Sequence, residues 1–185
     1  MFFKFRRMRA MDPLQVAMTG VRMGEKYLQI FCSDTTLTRG LASKTGLSGV
    51  AALAAPDDAH AARAQAAANK AGALIDVKVT AFAVLDWPDA TFDMVVIDNT
   101  GGAFSSLSGD TRSVGLGAVR RVLRQGGRVE IIERVAGGLF GSAPASAADY
   151  APSGGAEGAL RTAGFNPVRT LAEKDGFRFV EGLKG

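Results

Sequence analysis

Two polar stretches close apolar runs, and their residue types are the ones that could do chemistry. The first lies in "YLQIFCSDTTLTRGLA", Tyr27 to Ala42, where Gln29, Phe31, Cys32, Ser33, Asp34 and Thr35 join an apolar run to a helical pattern. A strand-to-helix turn of this kind aims backbone N–H groups and hydroxyls at one place, which suits a nucleotide-like ligand. The second is Asp98, Asn99 and Thr100, after the apolar run ending in Ile97. A carboxylate and an amide there could orient a nucleophile or contact a cation.

Few other groups compete for a catalytic role. Cys32 is the single cysteine and has no basic neighbour in sequence to stabilise a thiolate, so it reads as a small buried residue. His60, the single histidine, falls inside an alanine-rich helical pattern and reads as a solvated helix-face residue. The spacings of serine hydrolases, zinc proteases and Walker loops are absent, so hydrolase and nucleoside-triphosphatase readings have no support. No metal is expected from one cysteine and one histidine.

The chain has 185 residues, 47% of them hydrophobic and 22% charged, enough for one soluble domain with a substantial core. No apolar run reaches the roughly 18 to 20 residues of a membrane span, and no signal-peptide pattern opens the chain, so the expectation is a cytoplasmic protein. Lys4, Arg6, Arg7 and Arg9 alternate with Phe2, Phe3, Phe5 and Met8. This arm, residues 2–9, reads as a docking arm, or as a contact with an anionic membrane surface that would make the protein peripheral to it; nucleic acid is the weaker partner. Residues 1–24 are therefore set apart as arm and helix, and residues 25–185 as a single domain.

The elements that must position the two polar stretches follow from periodicity. Tyr27 to Cys32 suits a buried strand, and Thr36 to Lys44 a helix. Val50 to Ala55 is a second strand, and Pro56, Asp57 and Asp58 open a helix reaching about Ala71. "LIDVKVTAFAV" supplies a third strand and Met94 to Ile97 the centre of a fourth, buried on both faces. A helix over about Asp110 to Arg124 is stopped by "QGG" before the strand "RVEIIERV". A loop over Ala136 to Ser153 leads to a short helix, a strand near Pro167 to Ala172 and a hairpin turned by "KDG". Repeated β–α units predict an α/β, mostly parallel sheet with helices on both faces and an antiparallel last strand.

Three stretches make the chain resemble the class I S-adenosylmethionine-dependent methyltransferases: the opening segment, "LDWPDATFDMVVIDN" and "AVRRVLRQGGRVEIIE". The last two are similar to that family's strand-four segment and to its helix, glycine turn and strand five. Their style is nearest to members acting on quinones and other small or lipid-like molecules. The resemblance covers roughly residues 27–183. It implies a Rossmann-like, seven-stranded sheet, S-adenosylmethionine as cofactor, and methyl transfer to a small or lipid-like acceptor beyond strand four.

Laid on the family pattern, Gln29 stands where an acid does, and Phe31, Ser33 and Thr35 where glycines do. Cys32 falls where cysteine is common. Ala54 or Ala55 replaces the acid that holds the ribose hydroxyls, and Ala81 to Val84 replace the polar residue at the adenine. Asp57 and Asp58 are better read as helix caps than as substitutes. The resemblance thus assigns the cofactor to Gln29, Phe31, Cys32, Ser33, Asp34, Thr35, Ala54, Ala55, Asp98 and Asn99. Losing two acidic contacts, each contributing about 1.5 to 3 kcal/mol, would weaken binding by roughly two to four factors of ten. A second expectation therefore stands beside the enzyme: a non-catalytic module of the same fold that binds a protein partner or a membrane surface. The direction of the Phe31 ring separates the two. Turned into the helix-covered side with an open cleft at the strand ends, it favours the enzyme; filling the cleft, it favours the module.

Overall fold

The computed structural model describes residues 13–33, 35–135 and 144–185. The elements are α1 (Pro13–Met18), β1 (Lys26–Ile30), α2 (Thr35–Thr45), β2 (Val50–Ala55), α3 (Asp58–Lys70), β3 (Asp76–Val79), β4 (Phe92–Asn99), α4 (Gly109–Val122), β5 (Leu123–Arg134), α5 (Gly155–Thr162), β6 (Val168–Lys174) and β7 (Phe177–Leu183). They build one seven-stranded sheet in the order β3-β2-β1-β4-β5-β7-β6. All neighbours pair in parallel except β7, which lies antiparallel between β5 and β6. The expected antiparallel last strand is therefore present.

Alternation along the strands divides the core in two. Leu28, Ile30, Val95, Ile97, Val129 and Ile131 face α4 and α5, packing with Leu116, Val119 and Leu160. Tyr27, Met94, Val96 and Ile132 face α2, with Leu37 and Leu41, and the half-buried Leu14, Val16 and Met18 of α1 complete that side. The alanines of α3, Ala64 and Ala68, are fully buried, their small side chains letting the helix lie close on β2. Asp57 caps this helix by accepting from the His60 N–H at 2.8 Å, as expected from sequence. No helix among the described residues is long and apolar enough to cross a membrane.

Two local departures from the sequence reading have physical causes. The third strand is only Asp76–Val79, because Thr80 and the residues after it turn back, the Thr80 hydroxyl donating to the Val84 carbonyl at 2.6 Å. That turn sends Phe82 into the core instead of along a strand edge. Between β3 and β4 the chain makes turns, where Leu85 and Trp87 supply the buried apolar surface and Arg121 donates to both of their carbonyls. The strand after α4 begins at Leu123, before "QGG", which interrupts its register: Phe92 pairs with Leu123 and Met94 with Arg128. Gly126, at φ 70°, makes that detour possible. At the other end of the sheet Asp175 and Gly176 both have positive φ, as a two-residue hairpin turn with right-handed strand twist requires.

Phe82 is seated by a missing side chain. A Cβ on Gly115 of α4 would overlap the Phe82 ring. Gly115→Ala is expected to lower stability by about 1–3 kcal/mol through overpacking, read as a lower urea midpoint with unchanged slope. An unchanged midpoint would mean that Phe82 has room to move.

Candidate active site at the ends of β1, β4 and β5

The sheet's order reverses between β1 and β4, so their carboxyl ends flank a crevice of the kind that binds ligands in this architecture. β1 stops at Ile30, and Phe31 takes φ 63°. A non-glycine residue there costs about 1–2 kcal/mol, so the surroundings must hold it. They do so through the Phe31 N–H donating to the Ala54 carbonyl at 3.2 Å and its carbonyl accepting from Gln29 Nε2 at 3.0 Å.

This backbone geometry decides where the ring goes. Continued alternation would put residue 31 on the α2 side with Tyr27 and Gln29. The left-handed conformation instead turns the half-buried ring to the other side, against the cluster containing Ile30, Ala54 and Ile97. Phe31 meets Phe82 at 5.6 Å, Phe82 meets Phe104 at 5.8 Å, and Phe104 meets Tyr150 at 6.0 Å. Tilted and edge-to-face pairs such as these are mutually attractive. An aromatic chain thus lies along the strand ends, from the β1 turn to the segment before α5.

The remaining turn residues divide. Ser33 donates its N–H to Asp98 Oδ2 at 2.8 Å, and its Oγ accepts from the Gly101 N–H at 3.0 Å. Asp98 Oδ1 accepts from the Thr100 N–H at 3.0 Å and hydroxyl at 2.6 Å. Ser33, Asp98 and Thr100 are therefore one fastening between the ends of β1 and β4, with the Asp98 carboxylate buried beneath the exposed Ser33. Thr35 opens α2 behind them. Gln29 is fully buried, and among the described residues its Oε1 has no hydrogen-bond partner. Asp34 lies outside the described residues.

Cys32 is buried, its Sγ 3.3 Å from Thr38 Oγ1, and shares a cluster with Ala55 under α3. Ala54 faces the Phe31 side instead. Neither alanine side chain can accept a hydrogen bond. Asp57 is committed to its cap: the His60 N–H, chiefly, holds its carboxyl below the usual carboxylate range, and His60 Nδ1 lies 2.7 Å away.

Asn99 points to the opposite side from Asp98. Its Oδ1 accepts from the Phe104 and Ser105 N–H groups, each at 3.0 Å, which shapes the loop after β4, and its Nδ2 donates to Glu133 at 3.4 Å. Glu133, buried at the end of β5, also accepts from the Tyr150 hydroxyl at 2.8 Å and from Arg178 of β7 at 3.3 Å. Burial, reinforced by the Glu133 charge, pushes the Tyr150 hydroxyl's pKa up. Beside this group is a cavity of about 350 Å³, lined by Asn99, Ser105, Glu133, Arg134, Tyr150 and Arg178 among others. A smaller one, about 160 Å³, is lined by Gln15, Ser33, Leu37, Asp98, Thr100 and Arg134. Arg134 borders both. Sequence reading missed Glu133 and Arg178; the acid closing the fifth strand was the available signal. Tyr150 is buried among the apolar core residues with only its hydroxyl end at this group.

No family model and no curated protein matches the sequence. Solved structures do match its fold. An S-adenosylmethionine-dependent methyltransferase of Aquifex aeolicus superposes with a TM-score of 0.76 at 18% identity, over 95% of this chain and 90% of that one. S-adenosylmethionine-dependent methyltransferases are also represented by a Methanosarcina mazei structure, with a TM-score of 0.62 at 18% identity over 91% and 96% of the two chains. TrmN of Thermus thermophilus gives 0.64 at 18% over 92% of this chain, which spans only 47% of TrmN. Strand order, the reversed β7 and these superpositions together show that the chain has the Rossmann-like fold of the class I S-adenosylmethionine-dependent methyltransferases.

Proposed function

We propose that the protein is an S-adenosylmethionine-dependent methyltransferase acting on a small acceptor held at the ends of β4 and β5. The observation that carries this reading is the turn at residue 31. Its backbone keeps the left-handed conformation of a glycine turn although the residue is phenylalanine. Around it, Asp98 ties Ser33 to β4 and α2 begins directly behind.

The fit to the cofactor differs between its two ends. Gln29 Oε1, buried and without a donor among the described residues, and the polar wall formed by Ser33, Asp98 and Thr100 suit the ammonium-bearing methionine end. Ala54 and the backbone near Ala81 would receive the adenosine end once the Phe31 ring leaves the face of Phe82. Bound there, the cofactor supplies an electrophilic methyl group on sulfur. The protein's part is positioning and exclusion of water, the main requirements of an in-line transfer. Asn99 and Glu133 set the wall against which the acceptor lies, and that wall's polarity favours a polar acceptor over a lipid-like one.

A second reading is favoured by the Phe31–Phe82 contact itself. With the ring in place the fold would serve as a non-catalytic module for a protein partner or, through residues 2–9, an anionic membrane. Those residues lie outside the described part of the chain. Calorimetric titration with S-adenosylmethionine and S-adenosylhomocysteine, carried to millimolar ligand, separates the readings. Saturable binding of both at about 100 micromolar or tighter is expected for the transferase. Absence of both heat and thermal stabilisation at millimolar ligand would overturn it in favour of the module.

A further inference from the structure

We propose that the end of the sheet opposite the candidate active site is a docking surface for an anionic lipid bilayer, and that Met23, Leu47 and Leu74 are the side chains that enter it. This surface stands whether or not the protein transfers methyl groups.

Single exposed apolar side chains are ordinary, and a cluster of them is not. Met23, Leu47, Val50 and Leu74 are all exposed, and all four stand at the amino ends of the adjacent strands β1, β2 and β3. The loops that carry the first three are interlocked. The Gly24 N–H donates to the Thr45 carbonyl at 3.0 Å, the Val50 N–H donates to the Glu25 carbonyl at 3.2 Å, and the Met23 side chain lies next to Gly46. Leu74 joins them through the sheet. Ala52 of β2 is opposite Asp76 of β3, so Leu74 comes level with Val50, and alternation turns it outward where Ile75 packs inward. Exposures of 78%, 86% and 77% mean that Met23, Leu47 and Leu74 project from the surface instead of lining a hollow. Projecting apolar tips suit the soft interface of a bilayer, where a concavity would suit a small ligand or a helix.

Charge selects the partner. The acids at this end are already engaged: Glu25 pairs with Arg128, Asp93 pairs with Arg124, and Asp76 accepts from the Trp87 indole at 3.0 Å. Three bases are not. Among the described residues Arg22, Lys44 and Lys70 have no ion pair, and Lys44 Nζ reaches only the Val16 carbonyl, at 3.4 Å. Each of these bases flanks one of the projecting side chains. Arg22 precedes Met23, and Lys44 and Lys70 occupy the last turns of α2 and α3, just ahead of the loops bearing Leu47 and Leu74. Apolar tips flanked by free bases match a surface that is anionic at its headgroups and apolar beneath them. Docked in this way, the protein turns the carboxyl ends of β1 and β4, with Ser33 and Asp98, away from the bilayer and toward water.

Co-sedimentation of the full chain with vesicles of phosphatidylcholine, alone or with about one-third phosphatidylglycerol, tests the surface. Residues 2–9 bring bases of their own, so every protein compared carries Lys4→Gln, Arg6→Gln, Arg7→Gln and Arg9→Gln. Binding to the anionic vesicles is expected, with phosphatidylcholine alone at least about tenfold weaker. Met23→Ser, Leu47→Ser and Leu74→Ser combined leave the charge unchanged and should weaken anionic-vesicle binding at least about tenfold. Arg22→Gln with Lys70→Gln should weaken it about twentyfold. All five side chains are exposed, so both variants keep the fold, which unchanged urea midpoints verify. Failure to bind anionic vesicles, or affinity within twofold in the serine variant, overturns the proposal. So does a chain that ignores vesicles and sediments as a dimer broken by the serine variant, which would give the patch to a second copy.

Discussion

Phe31→Gly is expected to tighten S-adenosylhomocysteine binding by about ten- to a hundredfold while leaving stability within about 1 kcal/mol of wild type. The binding gain comes from the ring. To admit an adenosine, the wild-type ring must leave Phe82, giving up burial and an aromatic pair that together contribute about 1.5–3 kcal/mol; glycine removes that cost, and 1.4 kcal/mol is a factor of ten. The neutral stability comes from two cancelling terms. Glycine relieves the φ 63° strain of about 1–2 kcal/mol as it loses the contact of a half-buried side chain. Phe31→Ala loses the contact and keeps the strain, so glycine should be the more stable of the two by about 1 kcal/mol, the reverse of their usual order. Urea denaturation and calorimetry on the three proteins check both parts. Equal affinity in wild type and Phe31→Gly would show that the ring is no obstacle and that the missing acids, at Gln29 and at Ala54 or Ala55, set the affinity.

Much of the scaffold around this site was legible from sequence because local and tertiary demands agree there. Met94 to Ile97 are apolar without interruption because both faces of β4 are covered. Asp175 and Gly176 are turn residues at a place where two positive φ values are needed. The register of the first turn was also legible: a glycine position was assigned to residue 31, and residue 31 is left-handed. The ring's direction was not, since it depends on Phe82, whose own inward course depends on the absence of a side chain at Gly115. "TAFAV" carries β-favouring residues, and burial of one phenylalanine outweighed that weak preference. The Glu133 group was hidden for another reason. Its members come from β4, β5, the segment before α5 and β7, and the antiparallel pairing of Glu133 with Arg178 brings the last of these to the others.

The second large effect concerns stability against pH and comes from the α2-facing side of the sheet. Glu130 is fully buried on β5, and among the described residues neither of its oxygens has a hydrogen-bond partner. Burial, with the facing Glu181 of β7 adding repulsion and Arg128 opposing it, pushes its carboxyl up to about 8 from an ordinary 4.5. Arg128 is only partly available to help, being shared with Glu25, while Glu181 is paired with Arg169. Between those two values the folded chain holds a proton that the unfolded chain has released. The folded state therefore binds more protons there, and stability falls as pH rises. The contribution is fully present below about pH 4.5, is lost progressively up to pH 8, and leaves an ionised, unpaired carboxylate in the core above it. At about 1.4 kcal/mol per unit the whole swing is roughly 4–5 kcal/mol, a large share of the 5–15 kcal/mol that typical domains possess. Glu130→Gln has nearly the shape of the protonated acid and cannot ionise. Its stability should match wild type near pH 5, exceed it by a few kcal/mol at pH 9, and lack the downward slope between. Urea midpoints measured from pH 5 to 9 decide the matter: parallel curves for the two proteins would mean that Glu130 reaches water or a cation when it ionises, and that the core on this side opens to let it do so.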